Sequence, residues 1–212
     1  MTSTRKDQRD ARRARSRRIR AILAGGLVLG VGVTATLAAW NDSEFGSTTF
    51  TAGTFNIVGS TDGTNFSQHA SAPGASLTFA APSVSISALT PGDKAYAFFS
   101  VKTVNPSMAG SVLIKGASSN ASSLGAQLTY SVRTVTAAAN CSSTGWATAS
   151  VVTGLPNGAA LTAAATSSQV LNADGGNQVN YCIEVAMSAT APTTVQGTSQ
   201  QVTWEFAATS GS

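Results

Sequence analysis

Beyond residue 40 the apolar positions recur at every second residue. Tyr181, Ile183, Val185 and Met187 alternate with Asn180, Cys182, Glu184 and Ala186, the period of a strand with two unlike faces. Leu128, Tyr130, Val132 and Thr134 likewise oppose Thr129, Ser131, Arg133 and Val135, and Val202, Trp204 and Phe206 alternate with Thr203 and Glu205 ahead of a polar tail. Phe99, Val101 and Thr103 form one face of a run from Tyr96 to Val104, and Val112 to Lys115 gives a shorter run. Turn signals lie between these runs: Thr90-Pro91-Gly92-Asp93, Asn105-Pro106, Leu155-Pro156-Asn157-Gly158 and Asp174-Gly175-Gly176. The first predicts a type II turn, because the Pro91 ring presets the first central φ and Gly92 accepts a positive φ at the second. No helical stripe appears after residue 40, and strands joined by polar turns without helices predict an all-β, antiparallel sandwich over residues 51–212. Ala137-Ala138-Ala139 and Ala163-Ala164-Ala165 read equally well as a helical turn or a loose loop.

Before residue 40 the pattern changes. Residues 1–20 are polybasic, residues 21–33 are apolar, and Thr34-Ala35-Thr36-Leu37-Ala38 are small or apolar. A positive end, a short apolar helix and a small-residue exit make the three-part plan of a secretory signal. Residues 1–38 are therefore expected to be a signal peptide, cut after Ala38, with Thr36 at −3, Ala38 at −1 and Ala39 as the new terminus; a cut one residue later would put Leu37 at −3. The alternative is an uncleaved anchor, since Ala21 to Ala38 runs 18 residues without a charge. Four glycines in that span and the ~20 strongly apolar residues a span needs weigh against it. Ser16-Arg17-Arg18 also allows a twin-arginine signal, but Arg20 and Ala21 stand where that signal wants bulky apolar side chains.

This division reverses the meaning of the charge. The 212-residue chain has a formal net charge of +4, yet nine of its 13 Lys and Arg lie between Arg5 and Arg20. Residues 39–212 carry four basic against seven acidic side chains, a net −3. Four scattered cations form no stripe, so no nucleic-acid partner is expected. A membrane is expected as a partner only through the uncleaved signal segment.

Export makes the cysteines informative. Cys141 and Cys182 are the only two, and outside the cytosol a single pair predicts one disulfide; two buried thiols are the alternative. With the lone His69 they do not make a four-ligand metal set. There is no H-E-x-x-H, no G-x-S-x-G and no phosphate-cradling glycine loop, and His69 sits in a polar stretch. Seven single carboxylates leave a glycosidase pair as a remote option. No enzyme activity, cofactor or metal is expected; the domain reads as a secreted, extracellular or cell-surface module for binding or assembly.

Three stretches resemble one family. Ala38-Ala39-Trp40-Asn41-Asp42, followed by Phe50-Thr51-Ala52-Gly53-Thr54-Phe55-Asn56-Ile57, resembles the start of TasA and camelysin, exported fibre-forming matrix proteins of Gram-positive bacteria processed by a SipW-type signal peptidase. Val84-Ser85-Ile86-Ser87-Ala88-Leu89-Thr90-Pro91-Gly92-Asp93-Lys94 is similar to the family's strand and L-x-P-G-D turn, and Gln201 to Thr209 to its closing strand. Residues 116–180 match nothing in that pattern. The Arg-rich head, the Ala/Thr/Ser bias and the cysteine pair look more like actinobacterial members.

The resemblance implies a first strand at Phe50 to Ile57, a jelly-roll-like β-sandwich after the N-terminal signal helix, a signal peptidase as partner, and self-association into biofilm-matrix fibres by donor-strand complementation. The donor would be residues 39–50, with Trp40, Phe45 and Phe50 as apolar anchors for a neighbour's groove; packing of these side chains on their own domain as strand one is the alternative. The other reading is a monomeric binding or adhesion module using loops such as His69 to Ala75 or Ser143 to Trp146. There Trp146 either stacks on a sugar or packs the core.

Overall fold

The computed structural model describes residues 5–35, 42–81, 88–117 and 122–211. The chain divides into two compact units, residues 1–50 and residues 51–212. In the first, helix α1 covers Arg5–Ala35, so the polybasic stretch is helical together with the apolar one. Along it Ile22, Leu23 and Leu27 are 73%, 67% and 72% exposed. Among the described residues no helix is long and apolar enough to cross a membrane. Residues 42–50 form no strand. Thr36, Ala38, Ala39 and Trp40, the expected cleavage and anchor positions, lie outside the described residues.

Among its described residues the second unit has nine strands: β1 (Ile57–Ser60), β2 (Lys94–Thr103), β3 (Gly110–Ile114), β4 (Leu128–Thr134), β5 (Ser150–Val151), β6 (Ala159–Ala160), β7 (Gln169–Leu171), β8 (Val179–Met187) and β9 (Phe206–Ser210). They pair antiparallel in two sheets. The larger runs β1-β2-β8-β4-β5, with β6 also on β4; the smaller runs β7-β3-β9. The central ladder sets Lys94 opposite Ala186 and Val101 opposite Val179, and β4 runs from Leu128 opposite Met187 to Thr134 opposite Tyr181.

The predicted alternation decides which faces meet. Phe99 and Val101, Tyr130 and Val132, and Tyr181, Ile183 and Val185 turn from the large sheet into one core, which they share with Val112, Ile114, Leu171 and the half-buried Phe206 of the small sheet. A period of two lets one slip of register expose every one of these side chains, so the burial itself fixes the pairing. Phe206 joins the two layers, its ring 4.7 Å from Phe99 and 5.1 Å from Tyr181. Burial alone drives the Tyr130 hydroxyl up to about 12 and raises Tyr181 as well, because the low-dielectric core disfavours the phenolate.

The turn at Thr90–Asp93 has the predicted form. The Asp93 amide donates to the Thr90 carbonyl at 3.0 Å and Gly92 takes φ 92°. The Asp93 carboxylate then accepts from both the amide (2.7 Å) and the hydroxyl (2.8 Å) of Thr90, locking the entry to β2. Of the two Ala-rich stretches, Ala138–Asn140 is a single 3₁₀ turn, whereas Ala163 to Ala165 is not helical and its Ala165 amide bonds the Ile114 carbonyl.

Two boundaries differ from expectation. The closing strand was expected at Val202 to Phe206, but β9 begins at Phe206. β3 has only five residues, so its ladder spans Gly110 opposite Ser210 to Ile114 opposite Phe206 and then ends, with one further bond from the Lys115 amide to Glu205. Val202 and Trp204 still pack on the core, which is what their alternation records. The first strand was expected at Phe50 to Ile57 and is found at Ile57–Ser60. Upstream, Thr54 and Asn56 accept single bonds from Met108 and Val104. The Phe55 ring lies where a side chain on Gly110 would stand, so only glycine fits there. The strand expected around Val84 to Ser87 lies outside the described residues.

Candidate functional site

Two places on the second unit gather side chains beyond simple core packing. The first is the outer face of the large sheet. Outward positions of a sandwich are normally wet, yet here Cys182 is fully buried and Glu184 is 5% exposed. The cause is the segment after β4, tied down by the Cys141–Cys182 disulfide (Cα–Cα 5.2 Å), the bond expected from the sequence. This segment lays Trp146 against Tyr96, ring centroids 5.6 Å apart, with the Arg133 guanidinium 4.7 Å from the Trp146 ring. Arg133 also donates to the Trp146 carbonyl. Beneath, Glu184 accepts from Lys94 at 3.2 Å and from the Tyr96 hydroxyl at 3.0 Å. Burial first, and the Glu184 hydrogen bond second, push the Tyr96 hydroxyl up to about 12. Charge, hydroxyl and indole are thus spent on each other. Trp146, half-buried between Tyr96 and Arg133, is a cover for the sheet, the arrangement of a packing residue more than of a sugar platform.

The second place is a groove of about 1060 Å³, at the upper end of the ~300–1,000 Å³ range of ordinary ligand sites. Its floor is apolar: Ala95, Phe99 and Val101 of β2, Leu128 of β4 and Val185 of β8. One wall is the unbroken run Gln200 to Ala208, which leads into β9; the other joins β1 to the loop Gln68 to Leu77, with Phe79 and Leu89 between. The topology explains the opening. β9 and β1 each end their sheet, and the two sheets are not closed to one another along that side. β1 has its outer edge partly occupied, since Gly59 and Ser67 exchange two backbone bonds of 3.0 Å. β9 pairs only with β3 among the described residues. Among the described residues its other edge is a row of unpartnered backbone donors and acceptors bordering the groove. The groove is lined by one histidine and one carboxylate, His69 and Glu205, and by no Lys or Arg among the described residues.

The expected site residues distribute as follows. Phe45 and Phe50 are 95% and 92% exposed. His69 sits on the groove wall, its Nε2 3.2 Å from Ser67 Oγ, with no acid to orient it. No group of three or more His, Cys, Asp or Glu gathers among the described residues. The groove itself was not anticipated. Its one sequence signal was the apolar alternation of Leu77 and Phe79 inside an otherwise small and polar stretch, which reads as loop.

No protein-family model matches the sequence, and no curated protein matches it. Function must therefore be argued from the residues and their geometry.

Proposed function

We propose that this chain is a secreted structural subunit of cell-surface or matrix fibres, assembling by donor-strand complementation in the manner of the TasA and camelysin proteins it resembles. The observation that carries the reading is the groove: a trough with an apolar floor beside an edge of β9 that has no partner among the described residues, in a chain whose own residues 42–50 form no strand and expose Phe45 and Phe50 almost completely. An open edge strand beside a groove accepts an extended segment readily, main-chain bonds giving affinity and alternate side chains giving register. The residues from 39 to 50 of a second copy are the donor. The contact is head to tail, so it propagates into filaments instead of closing into a dimer.

In this proposal residues 1–38 are removed by a signal peptidase after Ala38, freeing the donor, and the sandwich is jelly-roll-like. The subunit has no catalytic role and uses no cofactor; its partners are its own copies, not nucleic acid. The buried disulfide fits a protein that works outside the cytosol. A net charge of only −3 over residues 39–212 keeps repulsion between stacked copies low.

Sizing the mature chain, residues 39–212, as a function of concentration and time tests the reading. Species that grow without a fixed endpoint, and fibres in the large fraction under the electron microscope, are the expected result. A monomer that persists at high concentration would favour the second reading, a monomeric adhesion module that uses the wall loop Gln68 to Leu77 to hold a foreign ligand.

A further inference from the structure

The aromatic side chains of the donor segment do not stand on one face. In an extended strand, residues an odd number apart point oppositely. Phe45 therefore shares a face with Asn41, Ser43, Ser47 and Thr49, whereas Phe50 shares one with Trp40, Asp42, Glu44, Gly46 and Thr48. Only one face can turn into a neighbour's groove. Turning the Phe50 face inward would carry two carboxylates into a trough with an apolar floor and, among the described residues, no Lys or Arg to meet them. Unpaired buried charge is among the most costly arrangements a protein interface can contain. Turning the Phe45 face inward buries three hydroxyls, which can bond to backbone, and leaves Asp42 and Glu44 in water.

Chain length points the same way. Thr54 is the first residue tied to the β unit, through the bond its carbonyl accepts from the Met108 amide. Phe50, four residues upstream, stays within about 14 Å of that tether, while Phe45, nine upstream, reaches about 30 Å. The wall Gln200 to Ala208 is nine residues long, roughly 30 Å of extended chain. A donor that stays joined to its own β unit can thus carry Phe45 about twice as far from that unit as Phe50.

We infer that Phe45 is the buried anchor that sets the register of the donated strand, with Asp42, Glu44 and Phe50 on its outward face, and that the occupant of the groove is residues 42–50 of a second copy of this chain. This rests on the donor-strand reading and sharpens it, since Trp40, Phe45 and Phe50 were all expected to be anchors.

The test compares Phe45→Ala, Phe50→Ala and the double variant Asp42→Asn/Glu44→Gln in the mature chain, alongside deletion of residues 39–50. Phe45 is almost fully exposed within its own chain, so its truncation leaves the β unit intact, which a thermal melt verifies. Phe45→Ala should weaken self-association about 100-fold or more, the usual penalty for deleting a buried phenyl group. Phe50→Ala and the charge-neutral double variant should stay within a fewfold of the parent. Loss of assembly in Phe50→Ala but not in Phe45→Ala, or strengthening by Asp42→Asn/Glu44→Gln, would overturn the inference and leave the donor-strand reading standing. If the deletion variant assembles like the parent, the donor-strand reading itself fails.

Discussion

Replacing Cys141 and Cys182 by serine should lower the melting temperature by roughly 8–16 °C. The bond joins residues 41 apart, and releasing a loop of that length restores about 4 kcal/mol of chain entropy to the unfolded state. A domain of this size loses ~2–4 °C for each kcal/mol. The site raises the stakes beyond entropy. Cys182 lies in β8, the strand that joins β2 to β4, and the segment it holds covers Tyr96 and Glu184 on the outer face. Without the bond, Trp146 is held by Arg133, Tyr96, its backbone bonds to Ser142 and Ala149, and the short β4–β5 pairing. Calorimetry of the Cys141→Ser/Cys182→Ser variant, with oxidised parent as reference, measures the effect. A shift below about 2 °C would mean that the Arg133–Trp146–Tyr96 stack holds the cover without covalent help.

Deleting residues 39–50 from the mature chain should abolish assembly while leaving the fold nearly untouched. Among the described residues all nine strands lie between Ile57 and Ser210, the compact β unit starts at Thr51, and residues 42–50 form no strand. Far-ultraviolet circular dichroism and melting temperature should therefore match the parent, while sedimentation shows monomer at every concentration. A drop in melting temperature comparable to that of the disulfide variant would place the segment in its own domain. Continued polymerisation would place the contact elsewhere on the surface.

The strands were legible in the sequence wherever both faces are distinct. The alternation in β8 names its core residues correctly because one face meets the small sheet and the other meets Lys94, Tyr96 and the disulfide. The Thr90–Asp93 turn was legible because proline and glycine each permit few conformations. The disulfide followed from a count of two. Boundaries were less legible where alternation and pairing part company. Val202 and Trp204 alternate because they touch the core, yet β3 is too short to pair with them. The chain from Phe50 to Asn56 has the composition of a strand, but its backbone bonds are two, accepted by Thr54 and Asn56 from Met108 and Val104 in the connection between β2 and β3.

The groove was the least legible feature, and for a physical reason. It exists because β9 falls at the end of its sheet and β1 at the end of the other. Strand order is set by long-range pairing that no local window contains. The sequence did display the segment that the proposal sets against it, one with large aromatic groups and no strand partners nearby. Its parity, with the carboxylates on the Phe50 face, was present in the residues from the start, but it acquired meaning only against a trough lined by no Lys or Arg among the described residues.

Intermolecular strand donation is tested most directly by placing a photoreactive side chain at position 45 of the mature chain and cross-linking a mixture of isotopically labelled and unlabelled protein. Mass spectrometry should find position 45 joined to groove residues such as Val202, Trp204, Leu77 or Phe79, with labelled and unlabelled peptides combined in the same product. Cross-links confined to a single chain, or joining position 45 to surfaces outside the groove, would contradict donor-strand assembly.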